Sequence, residues 1–218
     1  MTQTMKFEDY YNHKIKEKWN ENINHVKKQI HYKIIPKELY KKIQNEANEK
    51  NFTIHELIEG IKNNDIIASF FAKKPLRQNI PENTQFEFIQ TKYPSTFKLK
   101  QISSESLIVK NGKICNKKKK KDTFSTETKA IDFYDPIHDM YYFAKYINEK
   151  GGSQDNQYNE VLSCINQIQI YLEKNKNKRY PKNFTIVVDG PYINKRFQKL
   201  KEYENDILHI VNSDDFLE

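Results

Sequence analysis

Asp132 and Lys145 stand in the stretch KAIDFYDPIHDMYYFAKYI, which reads as two antiparallel strands over residues 129–134 and 141–147 with a loop centred on His138 and Asp139. With that centre, Asp132 lies directly opposite Lys145. Opposed residues project from one face of a sheet with Cβ atoms roughly 4.5–5.5 Å apart, so a carboxylate and an ammonium meet there. Hydrolysis of a phosphodiester requires a metal to neutralise the phosphate, an activated water, and a cation near the developing negative oxygen. An aspartate and a lysine on adjacent strands supply part of that set. The same pair also describes a cross-strand salt bridge on a solvated face, worth about 0.2–1 kcal/mol. A one-residue slip in register would separate the two.

The chain after Lys145 runs YINEKGGSQDNQYNEV, with two glycines and small polar residues where a strand gives way to a helix. Glycines permit close backbone approach, and a helix N-terminus offers free N–H groups to an anion. A plain glycine turn with Ser153 or Asp155 as the helix cap accounts for the same residues.

These residues need a scaffold, and hydrophobic periodicity supplies one. Residues 7–71 read as helices broken at Pro36 and near Asn51, Phe52 and Thr53, with Thr53 and Glu56 spaced as a capping box. Trp19 is read as a packing anchor. Pro81 suits the first turn of one or two helical segments that would turn Phe86, Ile89 and Tyr93 to the core. Strands follow over 97–102 and 107–114, with Asn111-Gly112 as a two-residue hairpin turn. The lysines at 117–121 read as a solvated loop or a phosphate contact.

Beyond them the order is β-β-α-β-α-β: the strand pair, a helix over 157–173, a strand over 184–188, a helix over 195–203 and a strand over 207–211. Val161, Leu162, Ile165, Ile168 and Leu172 form one stripe on the first of these helices. The apolar runs FTIVV and ILHIV read as buried parallel strands. The expectation is an α/β fold, a mixed central sheet flanked by helices, divided into a helical N-terminal region (1–72) packed on a core (73–218).

Composition bounds the partners. Of 218 residues, 37 are Lys or Arg and 29 Asp or Glu, a net charge of +8 that suits a polyanion as well as it suits a lysine-rich proteome. The two cysteines, Cys115 and Cys164, form no zinc or disulfide pattern. No run is long and apolar enough for a membrane helix or a secretory signal, so a cytoplasmic location is expected.

Four elements in order, PLRQNIPENTQFEFI, TKAIDF, YYFAKYINEKGGSQDNQ and FTIVVDGPY, resemble those of the PD-(D/E)XK restriction endonucleases over about residues 70 to 215. The resemblance implies a restriction-endonuclease-like core and Mg²⁺-dependent cleavage of double-stranded DNA. It further implies a homodimer and a cognate DNA methyltransferase as genetic partner. Asp132 matches the metal-binding aspartate and Lys145 the lysine that acts on water and phosphate. Glu82 matches an acid that assists the metal in some relatives. Gln154 sits where related enzymes hold polar residues near the DNA backbone, and Gly152, Ser153, Asn156, Arg77 and Lys129 join it as DNA-contact candidates.

The chain departs from the pattern at Phe143, where an acid belongs two residues before the lysine. Glu160 and then Asp155 are the candidates for a carboxylate moved to the following helix. Alternatively the site works with fewer carboxylates, or catalysis has been lost. Very-short-patch repair nucleases resemble the chain in carrying phenylalanine there. A mismatch- or structure-specific repair nuclease and an inactive DNA-binding subunit therefore stand beside restriction. Glu127-Thr128-Lys129 fits D/E-x-K only superficially, His138 and Asp139 read as turn residues, and His209 as a core or edge histidine.

Overall fold

The computed structural model describes residues 5–75, 79–100, 105–117, 129–149, 152–177 and 182–217. It divides into two compact units, Asp9–Ile80 and Pro81–Glu218 together with Met1–Glu8. Among the described residues, no helix is long and apolar enough to cross a membrane.

The first unit is helical: α1 (Phe7–His31, beyond its first two residues), α2 (Lys37–Lys50), α3 (Ile54–Asn63) and α4 (Asp65–Phe71). Pro36 sits at the N-cap of α2, and Asn51 closes that helix in the left-handed region at φ 56°. The capping box forms as its spacing predicts: the Glu56 amide donates to Thr53 Oγ1 at 3.1 Å, and the Thr53 amide to Glu56 Oε2 at 2.7 Å. Ile23, Val26, Ile30, Ile43, Ile61 and Ala68 make the buried core, with Trp19 half-buried against it. A concavity of about 1250 Å³ on this unit is lined by Trp19, His25, Leu39, Lys42 and Phe70 among others.

The second unit is an α/β structure. After α5 (Ile80–Lys92) come β1 (Phe97–Lys98), β2 (Leu107–Lys110), β3 (Lys113–Asn116), β4 (Phe133–Asp135), β5 (Met140–Tyr146) and α6 (Gln154–Asn175). β6 (Asn183–Asp189), α7 (Pro191–Asn194), α8 (Phe197–Lys201), β7 (Leu208–Val211) and a short 3-10 turn at Ser213–Phe216 complete it. Five strands form a mixed sheet in the order β1-β4-β5-β6-β7. The β1–β4 and β4–β5 pairs are antiparallel, while β5–β6 and β6–β7 are parallel.

β2 and β3 form a separate hairpin. Asn111 (φ 50°) and Gly112 (φ 75°) both take the left-handed conformation that a tight hairpin turn demands. Val161, Ile165 and Ile168 of the α6 stripe are buried with Phe143, Ile147, Phe184, Ile186 and Val188 of the sheet and its margins. Leu162 and Leu172 are half-buried beside that cluster.

The β4–β5 register corrects the expectation. Phe133 pairs with Tyr142, Tyr134 with Tyr141 and Asp135 with Met140, so the loop is centred between Ile137 and His138. The turn starts early because Asp135 Oδ1 accepts the Ile137 amide at 3.0 Å, with Pro136 between them presetting the bend, and Asp139 closes it at φ 49°. Asp132, just ahead of the paired residues, does not face Lys145: its amide donates to the Tyr142 carbonyl at 2.9 Å. Lys145 lies three residues beyond Tyr142 along β5, and its charge still acts on the Asp132 carboxyl.

The strand expected from residue 129 also begins late, at Phe133. Ahead of it the backbone pairing continues irregularly and side chains add to it: the Asp132 amide donates to the Tyr142 carbonyl at 2.9 Å, Asp132 Oδ2 accepts the Ala144 amide at 2.7 Å, and Lys129 Nζ donates to the Ala144 carbonyl at 2.7 Å.

At the end of β6, Gly190 adopts φ 104°, and a Cβ there would stand 2.5 Å from the Ile147 carbonyl oxygen. Backbone cannot yield as a flexible side chain can. Gly190→Ala is expected to cost on the order of 1–3 kcal/mol or more, read as a lowered urea midpoint. A variant as stable as the wild type would refute the close approach.

Candidate active site

Lys145 and Asp132 are positioned by adjoining chain segments but hold different partners. The Lys145 side chain, 22% exposed, pairs with Glu160 from the second turn of α6, itself 51% exposed. Asp132 is buried, with its Oδ2 held by the Ala144 amide and by Lys129 Nζ at 2.8 Å. Burial pushes the Asp132 carboxyl above its ordinary range, opposed by the Lys129 charge and hydrogen bond, by the Ala144 amide and by Lys145. Beside Lys145, the residues Lys129, Phe143, Ala144, Glu160 and Cys164 help line a pocket of about 10 Å³. That is roughly the space of one water.

Glu82, in the first turn of α5, is the second acid of this region. Burial raises its pKa first and the Asp132 charge raises it further, while Lys129 and Lys98 act the other way. A desolvated carboxylate whose charge raises the pKa of a second acid nearby makes a locus where a cation is favoured.

The two candidates for a displaced acid separate. Glu160 reaches Lys145, whereas Asp155 accepts a hydrogen bond from the Tyr192 hydroxyl. The four carboxylates nominated for a metal, Asp132, Glu160, Asp155 and Glu82, thus divide among different partners. Among the described residues, no group of three or more His, Cys, Asp or Glu side chains is placed to hold a metal ion. The oxygens that converge are those of Asp132 and the Ala144 carbonyl, with Glu82 near them. This set suits Mg²⁺, a hard ion held by one or two carboxylates with water completing its shell.

Phe143 has a physical reason for not being an acid. It is 2% exposed and belongs to the core cluster that includes Val161 and Cys164 of α6. In that cluster burial pushes the Cys164 thiol up to about 11.

Among the DNA-contact candidates, Gly152, Ser153 and Asn156 are exposed at the start of α6, and Gln154 donates from its amide to the Glu149 carbonyl. Ser153 is the N-cap residue but makes no side-chain cap bond. Lys129 turns inward to Asp132 and Ala144. Arg77, Glu127, Thr128 and lysines 118–121 lie outside the described residues. His138 pairs with Asp135, and His209 is half-buried opposite Thr185 in the sheet.

Sequence reasoning missed the support behind β5. Asp189 at the end of β6 is buried, and its carboxyl group accepts hydrogen bonds from three donors. These are the Ser213 amide at 2.9 Å, Ser213 Oγ at 2.7 Å and Gln85 Nε2 at 2.7 Å. Gln85 also donates to the Lys145 carbonyl at 3.3 Å, tying α5 to the strand that bears the lysine. The only sequence signal was the Asp-Gly-Pro at a strand end.

Burial pushes the Asp189 carboxyl from 3.8 up to about 6, against the pull of its Ser213 and Gln85 donors. Because the folded state holds this proton more tightly than the unfolded state, the contribution to stability is present below about pH 4 and lost as pH rises through about 6. Its size is on the order of 3 kcal/mol. The stability difference between wild type and Asp189→Asn, from urea unfolding, should therefore drift against the wild type between about pH 4 and 7. A difference that is flat with pH would sink this assignment.

Comparisons with protein-family models, with curated proteins and with solved structures yield no match to this chain.

Proposed function

We propose that the chain is a Mg²⁺-dependent DNA endonuclease of the PD-(D/E)XK restriction type that makes sequence-specific double-strand cuts. The observation that carries this reading is the approach of Asp132 and Lys145 beside Ala144, whose amide bonds the aspartate while the lysine's charge acts on it, with Glu82 beside the aspartate and Glu160 on the lysine. The described parts of the four elements behind the resemblance become α5, the approach to β4, β5 with the start of α6, and β6, assembled around one sheet. The net charge of +8 favours a polyanionic substrate.

In this reading Asp132, Glu82 and the Ala144 carbonyl hold the ion. A bound Mg²⁺ supplies charge neutralisation at the phosphate and a more acidic water. Lys145 places its ammonium where negative charge develops on the phosphate, and Glu160 orients that ammonium through their ion pair. Two cuts in a duplex imply two such sites, hence a homodimer, acting in the cytoplasm with a methyltransferase as genetic partner.

Incubation with plasmids of varied sequence should give discrete fragments in Mg²⁺ and none in EDTA. Intact plasmids in both Mg²⁺ and Mn²⁺ would defeat the proposal. One observation favours a second reading, a DNA-binding subunit without catalysis: Phe143 lies in the core, and a lysine already bonds the Asp132 carboxylate. Salt-sensitive DNA binding without cleavage would select it.

A further inference from the structure

Lys129 Nζ stands 2.8 Å from Asp132 Oδ2 and 2.7 Å from the Ala144 carbonyl oxygen. The two oxygens converge because the Asp132 amide holds the segment ahead of β4 on the Tyr142 carbonyl at 2.9 Å while the Asp132 carboxylate reaches along β5, where it also accepts the Ala144 amide. Asp132 is 4% exposed, and an isolated carboxylate that deeply buried is costly, so a cation is needed beside it. The chain supplies one from three residues upstream, on a side chain still 27% exposed and tethered by a flexible four-carbon stem.

A divalent ion drawn to the same oxygens meets an obstacle. An ammonium donates to an oxygen at about 2.8 Å and Mg²⁺ binds one at about 2.0–2.1 Å, so both on the same pair of oxygens would put two cations within a few ångströms of each other. Their repulsion in a partly desolvated site is large compared with thermal energy. Only one of them fits.

The geometry points to Lys129 as a tethered competitor for the cation position, so that a divalent ion enters by displacing its ammonium from Asp132 and Ala144. This rests on the metal-dependent reading above and adds its regulation: the free protein keeps the carboxylate satisfied, and metal loading requires the lysine to leave. A cross-strand structural clamp would instead need Lys129 to remain bonded whatever the ion present.

Mn²⁺ binding to DNA-free protein, measured by isothermal titration calorimetry, tests the competition without reference to activity. Lys129→Met keeps the stem and removes the charge, and its dissociation constant should fall by about tenfold or more relative to wild type. Lys129→Arg, which retains a charge, should stay weak. Equal or weaker binding by Lys129→Met while the wild type binds Mn²⁺ overturns the competitor role and leaves the metal reading intact. No Mn²⁺ binding by either protein, with or without duplex DNA, overturns both.

A measurement on the wild type alone covers the case in which the variant fails to fold. Lys129 should react severalfold faster with acetic anhydride in saturating Mn²⁺ than without it, as read by peptide mass spectrometry. Lys182, paired with Asp139, serves as the internal reference. Unchanged Lys129 labelling with Mn²⁺ demonstrably bound overturns the proposal.

Discussion

Lys145→Ala is expected to lower the rate of Mg²⁺-dependent plasmid cleavage by on the order of 10²–10³-fold while leaving affinity for duplex DNA nearly unchanged. The lysine is 22% exposed and its ammonium pairs with Glu160, so truncation removes a poised charge without opening a core cavity. A surface ion pair of this kind contributes at most about 1 kcal/mol to folding, and the variant should melt close to the wild type. Glu160→Gln keeps the lysine but loosens its orientation, and should cost less activity than Lys145→Ala. A Lys145→Ala protein that cuts within a few-fold of wild type would show that the lysine is a structural ion pair and that the site lies elsewhere.

Phe143→Glu, which writes the missing acid back into the strand, is expected to unfold the protein rather than improve the enzyme. Phe143 is 2% exposed inside the main core cluster. Losing a buried phenylalanine costs about 3–5 kcal/mol through lost burial and the cavity left behind. The new carboxylate must in addition be desolvated or bind a proton. Against a total stability of about 5–15 kcal/mol, that is enough to unfold a marginal domain. Phe143→Leu, which keeps an apolar side chain in place, should be far milder. Circular dichroism melts of the two variants decide the matter. A Phe143→Glu protein that melts within a few degrees of wild type would mean that the position opens readily to solvent, and an acid there would again be a plausible ligand.

Much of the second unit was legible because its signals are local. The Asn111-Gly112 turn, the α6 stripe and the apolar runs of β6 and β7 each state their structure in a few residues, and each element forms near its expected place. The nearness of Asp132 and Lys145 was legible as well, since a short loop brings the two segments together whatever their exact pairing. The register itself was not. It is set by the Asp135 side chain capturing the Ile137 amide, a choice among several turn residues in DPIHD that hydrophobic alternation does not report.

The partners of the acids were hidden for a different reason. Nothing along the chain distinguishes Glu160, which meets Lys145, from Asp155, which meets Tyr192, because the difference lies in where the turns of α6 come to rest beside β5 and α7. Lys129 was legible as a cation but not as the partner of a residue three positions away. Gln85, Asp189 and Ser213 are far apart in sequence and meet only when α5, β6 and the C-terminal turn close on one another.

Among the described residues the sheet ends on one side in β1, a strand of two residues, both exposed, and on the other in β7, of four. An outer strand this short offers an incoming chain very few backbone groups to bond, which is one way natural sheets resist templating one another into aggregates. The same brevity constrains self-association. Two copies joined across β1 would gain almost no shared ladder, so a twofold enzyme associating at that edge would have to bury side-chain surface instead. Substitutions that alter only the backbone bonding of β1 would then leave the association constant nearly unaltered.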